Sequence, residues 1–490
     1  MKFSKFSAIS VAAITRFLWG AALFALPITS FRYFPGMGEG TFVRPLAFYP
    51  IALLLPLLLL QWFRGKTTFP RAGALTPLAG FGLAVLLAGS FGAWLDPIPL
   101  RGQEYIGRVV RAWATLIIGV SFFIAAVWMN RNADDLKFSV KWILAGFIMD
   151  VAWSGVQALA FYTPLLPKVT VTHWQLAFSM RELVKTNRVS GMAYEPAWLA
   201  GQIATVYLPW LFAALLTGVR VTRFKWLEVI LLGFAALLVL ATYSRGGLLT
   251  AGAATVLTFL LVGRAEFRSA WKWFVSRNWL LRVGVGTLIV GALVGSALFL
   301  GQKGYIVRLF ESDAESVEEF VIENSAGARS AYLVSALGAY EESPVIGVGL
   351  GASGFYMYDH LPDWSLTVVP EIARQLNPES RLYPNPKNMY ARLLAETGLI
   401  GFVLFVAFQF SLLGDTLIAL RNSSPLARYL GIAGLFSWIA IAIYNVTQDS
   451  FTTPNLWINL GILAGITAVG IDSSLTPIPF PSGRGEQEPS

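Results

Sequence analysis

The chain has 490 residues, 56% hydrophobic and 13% charged, with a mean hydropathy of +0.61, which points to a polytopic membrane protein rather than a soluble domain. It has no cysteine, which excludes disulfides, iron–sulfur clusters and thiolate zinc sites, and its two histidines, His173 and His360, are too far apart in sequence to suggest a metal centre. The net charge of +9 is what a membrane protein gathers on its cytoplasmic side, and no nucleic-acid partner is expected.

A helix needs about 20 mainly apolar residues to cross a bilayer. About twelve such runs can be read, near 8–30, 45–63, 73–95, 108–129, 139–162, 197–217, 226–243, 247–263, 279–301, 399–420, 429–446 and 454–471. The first follows Lys2 and Lys5 and lacks a small-x-small cleavage site, so an uncleaved first span is expected instead of a signal peptide.

Connections after the second, sixth and eighth runs carry Arg64, Lys66 and Arg71, then Arg220, Arg223 and Lys225, then Arg264, Arg268, Lys272, Arg277 and Arg282. The long connection after the ninth run has seven Lys/Arg against thirteen Asp/Glu. By the positive-inside rule both termini face the cytoplasm. The expected fold class is an all-α integral membrane protein of about twelve transmembrane helices. Its expected domains are nine spans over 1–301, an extracytoplasmic loop domain over 302–398 and three spans over 399–471. A Pro-, Ser- and Gly-rich tail over 472–490 is expected to be disordered.

Four stretches on the outer side hold candidate chemistry. "NRVSGMAYEPAWLAG" places Arg188 and Glu195 at the mouth of the sixth span, either as ordinary solvated charges or as part of a site. Further on, Phe224 to Gly263 cannot be one helix, because 40 residues at 1.5 Å each would reach about 60 Å, twice the hydrocarbon thickness. The chain must reverse at "YSRGG", and Gly246-Gly247 are the natural place for the positive φ this needs. Arg245 then stands at the outer rim of a tight hairpin. It is either a snorkelling anchor or a fixed guanidinium beside a backbone that a bulky anion can approach.

"ENSAGARSAYLVSALGAYEESPVIGVGLGASGF" predicts a short amphipathic helix from near Ser325, with Arg329 in its first turn and Leu333, Leu337 and Tyr340 on one face. A basic residue there opposes the helix dipole, which an anion bound at the same helix start would offset. Gly347, Gly349 and Gly351 serve as turn formers or as a close approach for a ligand. In "YPNPKNMYARLLAETGLIGFVLF", Asn385 or Asn388 can cap a helix and Gly398 or Gly401 can ease the passage into the tenth span. Lys387, Asn388 and Arg392 lie just outside the membrane.

These pieces resemble the O-antigen polymerase and ligase superfamily, membrane glycosyltransferases that use glycans carried on undecaprenyl diphosphate. The resemblance rests on "YSRGG" at a short outer hairpin, the arginine-led loop helix running into "SPVIGVGLG", and "NMYARLLAETGLIG" leading into a span. It covers roughly residues 185 to 450, and "GMAYEPAWLA" is similar to a stretch of polymerase-like members. It implies a metal-independent, inverting transfer without a cofactor, in the bacterial inner membrane with the active side extracytoplasmic. Donor, glycan, lipid or protein acceptor, and bilayer are the implied partners.

Arg245 and Arg329 match the family's two arginines and would grip the diphosphate, a task suited to planar, permanently charged groups. Arg188, Ser244, Gly246, Asn388 and Arg392 are implied as further substrate contacts. Many members, ligases especially, have a histidine where this chain has Lys387, a difference that favours polymerisation. Lys387 is then either a base of lowered pKa or another phosphate contact. Glu195 is the candidate general base and His360 a lesser one. A transporter remains the rival, with Arg16 and Asp150 as charges inside spans.

Overall fold

The computed structural model describes residues 11–33, 42–184, 187–224, 226–301, 327–377, 379–380 and 382–470. The expected tail, the first part of the loop domain and the expected helix start near Ser325 lie outside these residues. Each of the twelve apolar runs meets a helix. In chain order these are α1 (Val11–Phe24), α2 (Phe48–Phe63), α3 (Leu75–Gly92), α4 (Tyr105–Met129) and α5 (Ala133–Tyr162), with the short α6 (Lys168–Leu176) after them. The sixth run is α7 (Pro196–Gln202), a π-turn over Ile203–Tyr207, and α8 (Leu208–Thr217). Then come α9 (Leu227–Ala241), α10 (Arg245–Val262), α11 (Arg264–Val275) and α12 (Trp279–Gly301). The loop domain supplies α13 (Gly327–Glu341), α14 (Gly354–Met357), α15 (Asp363–Val368) and α16 (Pro370–Leu376). Last are α17 (Met389–Arg421), α18 (Pro425–Tyr444) and α19 (Ile458–Val469).

Among the described residues no strand forms, and seven helices are long and apolar enough to cross a membrane. Leu83, Leu87, Leu237, Leu260 and Ile418 point outward, as lipid-facing side chains do. The fold is an all-helical, multi-pass integral membrane protein.

Helices in lipid gain little from apolar burial against one another, so small residues and internal hydrogen bonds hold them together. Gly461 and Gly465, one turn apart on α19, press on α4. A β-carbon at Gly461 would lie 2.7 Å from that of Ala126, and one at Gly465 2.5 Å from the Asn130 carbonyl oxygen. Pro209 has no N–H to give, and the sixth span opens a π-turn just before it. Asn459 of α19 fills the gap, donating from Nδ2 to the carbonyls of Thr205 (2.9 Å) and Val206 (3.1 Å) while Oδ1 accepts from Trp210 Nε1 (2.9 Å).

Two expectations change on folding, and a third, that the "GVGLG" glycines form turns, holds with φ of +88°, +102° and +83° at Gly347, Gly349 and Gly351. The left-handed residue of the hairpin is Tyr243 (φ +47°), not Gly246 or Gly247, which lie in the first turn of α10. Gly247 is needed for closeness instead: a β-carbon there would sit 2.2 Å from that of Ala200 on α7. The buried face of α13 is Ala331, Tyr332, Ser335 and Ala339 rather than Leu333, Leu337 and Tyr340. Small side chains let α13 seat closely on its neighbours α14 and α17, with Ser335 Oγ donating to the Met357 carbonyl. The "GVGLG" glycines pack against protein: Gly347 against the Glu396–Gly398 backbone, Gly349 against the Tyr105 hydroxyl and Gly351 against Ala112.

Gly398 (φ +58°) does break α17 before the tenth span. Four of the backbone groups beside it pair with the loop. Leu399 and Ile400 donate to the carbonyls of Pro344 (2.8 Å) and Val345 (3.2 Å), while those of Ala395 and Glu396 accept from Val348 and Gly349, both at 3.0 Å.

Candidate functional site

The connections after the odd-numbered runs meet one another at one end of the helical body. Phe31 bridges to Ser179, Arg101 donates to the carbonyls of Gln375 (2.9 Å) and Asn377 (2.7 Å), and Gly246 lies against Thr447. Arg131 and Thr68, from two even-numbered connections, are joined elsewhere by a 3.1 Å hydrogen bond.

Within the first group a cleft of about 360 Å³, counting its open mouth, is lined by Glu195, Trp198, Ser244, Gly246, Arg329 and Tyr444 among others. Four chain segments far apart in sequence supply it. Glu195 directly precedes α7, whose start Pro196 presets with its fixed φ. Its carboxylate caps no amide and, among the described residues, makes no hydrogen bond or ion pair. Ser244 caps α10, its Oγ accepting from Gly247 N at 3.2 Å. Arg245 is half-buried between Ser244 and Gly246, both of which line the cleft. Arg329, in the first turn of α13, is exposed and makes no hydrogen bond or ion pair among the described residues.

The far wall went unread in the sequence: Tyr444 ends α18, and Thr447 and Gln448 follow it. Tyr444 is buried against Gly201, where a β-carbon would come 2.2 Å from the ring. The only signal available was the polar run "NVTQDS" closing an apolar span.

The remaining predicted residues stand around the cleft with their polar groups engaged by protein. Arg188 donates from Nε to the Thr242 carbonyl (2.8 Å) and from Nη2 to that of Tyr243 (3.2 Å), capping α9 just before Arg245. Asn388 caps α17, its Oδ1 accepting from the amides of Tyr390 (2.9 Å) and Ala391 (3.1 Å). Arg392 donates to Glu396 Oε2 at 2.8 Å and to the Asp449 carbonyl, and Glu396 Oε1 accepts from Ser353 Oγ at 2.9 Å. Lys387 (φ +51°) gives its backbone N–H to Asp449 Oδ2 at 2.9 Å, and its ammonium pairs with Glu371 4.6 Å above the Tyr332 ring. His360 meets Glu342 at 3.2 Å, and neither residue lines the cleft.

Burial holds the Asp449 carboxyl above the usual range, with Arg392 pulling the other way. Burial likewise pushes the Tyr383 phenol well up, against the Arg108 guanidinium stacked 3.8 Å from its ring.

An arginine, a carboxylate and an N-capped helix start, brought together at one end of a membrane bundle, suit an anionic substrate with a group to deprotonate. Residues 230–406 match the family described as O-antigen ligase. That stretch carries the signature of the O-antigen polymerase/ligase superfamily, as its motifs implied, and holds Arg245, Arg329, Lys387 and Arg392. The O-antigen ligase match supports a role in polysaccharide biosynthesis. No curated protein matches the sequence.

Proposed function

We propose that the chain is an inverting, metal-independent membrane glycosyltransferase acting on glycans linked to undecaprenyl diphosphate, and that it polymerises them. The observation that supports this is the convergence of Glu195, the Ser244–Gly246 helix start and Arg329 on one cleft. In this reading Arg245 and Arg329 hold the diphosphate, whose negative charge grows as the glycosidic bond breaks. Amides at the start of α10 add partial positive charge. Glu195 accepts the proton of the attacking acceptor hydroxyl, which reaches the anomeric carbon from the face opposite the leaving group. Ser244 and Gly246 line the floor, while Arg188, Lys387, Asn388 and Arg392 hold the walls in place.

The twelve runs then all cross the bilayer, the loop domain lies over the extracytoplasmic face, and the active side faces outward from the bacterial inner membrane. Lys387, standing where many ligases have histidine, supports polymerisation. The family description favours ligation to a lipid or protein acceptor as the second reading.

Purified protein in nanodiscs, given an undecaprenyl-diphosphate oligosaccharide as sole substrate, tests this. A ladder of lipid-linked repeats is expected. An unextended donor that is passed to an added lipid or protein acceptor would establish ligation, and no transfer to any acceptor would reject both.

A further inference from the structure

The turn that delivers Glu195 to the cleft is fastened from the membrane side by α5. Gln157 Oε1 accepts from the amides of Ser190 (3.0 Å) and Gly191 (2.9 Å), and its Nε2 donates to the Gly191 carbonyl at 2.7 Å. Asp150, two turns earlier on the same face of α5, accepts from the Met192 amide at 2.8 Å through Oδ1. From the first connection, Thr29 Oγ1 accepts from the Tyr194 amide at 3.0 Å. Four backbone amides between Ser190 and Tyr194 are thus held by side chains of other segments.

Gly191 adopts φ +56°, and a β-carbon there would fall 2.3 Å from Asp150 Oδ1. The carboxylate therefore occupies the place of a side chain on the turn itself. Asp150 is fully buried within a span, and its Oδ2 has no hydrogen-bond partner among the described residues. No cation pairs with it there. A carboxyl at that depth is costly to keep, and the transfer reading gives it no part in the chemistry.

We infer that Asp150 is a positioning residue: its acceptor contact with Met192 fixes the 190–195 turn and so the place of Glu195 in the cleft. The consequence for catalysis rests on the proposed transfer reaction; the fixing of the turn does not. What matters is an acceptor oxygen at the Met192 amide rather than a charge, so asparagine can stand in and alanine cannot.

The absence of native cysteine allows a single spin label at Ala197→Cys, two residues past Glu195. The label is expected to be immobilised in the parent and in Asp150→Asn, and mobile in Asp150→Ala. In the nanodisc assay, Asp150→Ala is expected to lower kcat about a hundredfold, the scale of roughly ångström misplacement, with KM for the lipid-linked donor within about twofold. Asp150→Asn is expected to restore most of that turnover. An immobile label in Asp150→Ala, or full turnover there, overturns the inference, as does an Asp150→Asn variant as impaired as the alanine.

If Asp150→Ala does not insert, the nearly isosteric Thr29→Val decides: a mobile label supports the fixed turn, and an unchanged one counts against it. Should the parent protein itself transfer nothing, the transfer reading falls and the label alone judges Asp150.

Discussion

Arg188 lies 2.8 Å through Nε from the carbonyl oxygen of Thr242, three residues before Arg245. With the second bond to Tyr243 it ties off the end of α9 at the left-handed residue that turns the chain into α10. The guanidinium fork meets two carbonyls at once, which an ammonium cannot copy. Arg188→Lys and Arg188→Ala are both expected to lower transfer, the alanine more. Charge-assisted hydrogen bonds contribute about 1.5–3 kcal/mol each, so a loss of roughly tenfold or more is expected in kcat. Equal activity of the lysine and parent proteins would mean that the double contact does not position Arg245.

The two glycines of "YSRGG" are expected to respond differently. At Gly247 a new methyl meets Ala200 at 2.2 Å and must push α10 away from α7, whereas at Gly246 the nearest atoms, in Thr447, are 3.5 Å away. Overpacking costs about 1–3 kcal/mol, and a helical Gly→Ala change returns only about 0.5–1 kcal/mol. Gly247→Ala should therefore melt earlier than the parent in detergent, and Gly246→Ala at or slightly above it. The same melting temperature for both variants would exclude the close α7–α10 approach.

Arg392 and Glu396 form an ion pair one turn apart, with side chains 13% and 3% exposed. Removing one partner strands a buried charge, which costs about 3–5 kcal/mol, while an apolar pair of similar volume is often nearly neutral. Arg392→Met should thus destabilise strongly, and Arg392→Met with Glu396→Leu should recover much of the loss. Thermal unfolding of the four proteins of the cycle measures the coupling. Additive losses would mean that the two charges do not depend on each other.

Asp449 supplies a pH test. Its carboxyl is held above the ordinary value by burial, so the folded state binds this proton more tightly than the unfolded chain does. Its contribution is then fully present below the unfolded value, about 3.9, and is lost as pH rises through the raised folded value. Asp449→Asn, which can still accept from the Lys387 amide, should be the more stable protein at neutral pH. That advantage should shrink as pH falls toward 4. A stability gap that widens on acidification would reverse the assigned shift.

The membrane class and the position of every apolar run were legible because about 20 consecutive apolar residues have one physical use. The convergence of Glu195, Ser244 and Arg329 was legible only as a shared membrane side, since the packing that unites them depends on distant contacts such as Gly247 with Ala200 and Gly201 with Tyr444. The face of α13 was misread because leucines mark a buried stripe by hydrophobicity, while close approach selected alanine and serine there. Arg188, Asn388 and Arg392 are charged or polar residues near the cleft whose backbone and side-chain partners no spacing rule discloses. The wall of Tyr444, Thr447 and Gln448 straddles the end of the eleventh apolar run, where nothing in the local pattern separates a site from a loop.

Arg329 and Arg245 carry the last prediction. Arg329 is exposed, has no hydrogen bond or ion pair among the described residues and lines the cleft, so its replacement removes little packing. Arg329→Ala should abolish transfer while leaving insertion and melting temperature near those of the parent. Arg329→Lys keeps the charge but loses the planar pair of donors, and should retain only a small part of the activity. Arg245→Ala should abolish transfer as well, since in the proposed reaction it removes the second grip on the leaving diphosphate. Loss of one preorganised donor to developing charge costs about 10²–10³ in turnover. Donor binding measured by quenching with the lipid-linked glycan should weaken less than turnover falls, because the charge these arginines meet is largest in the transition state. A variant of either arginine with parental kcat would remove that residue from the reaction and shift the anion contact to the helix start at Ser244.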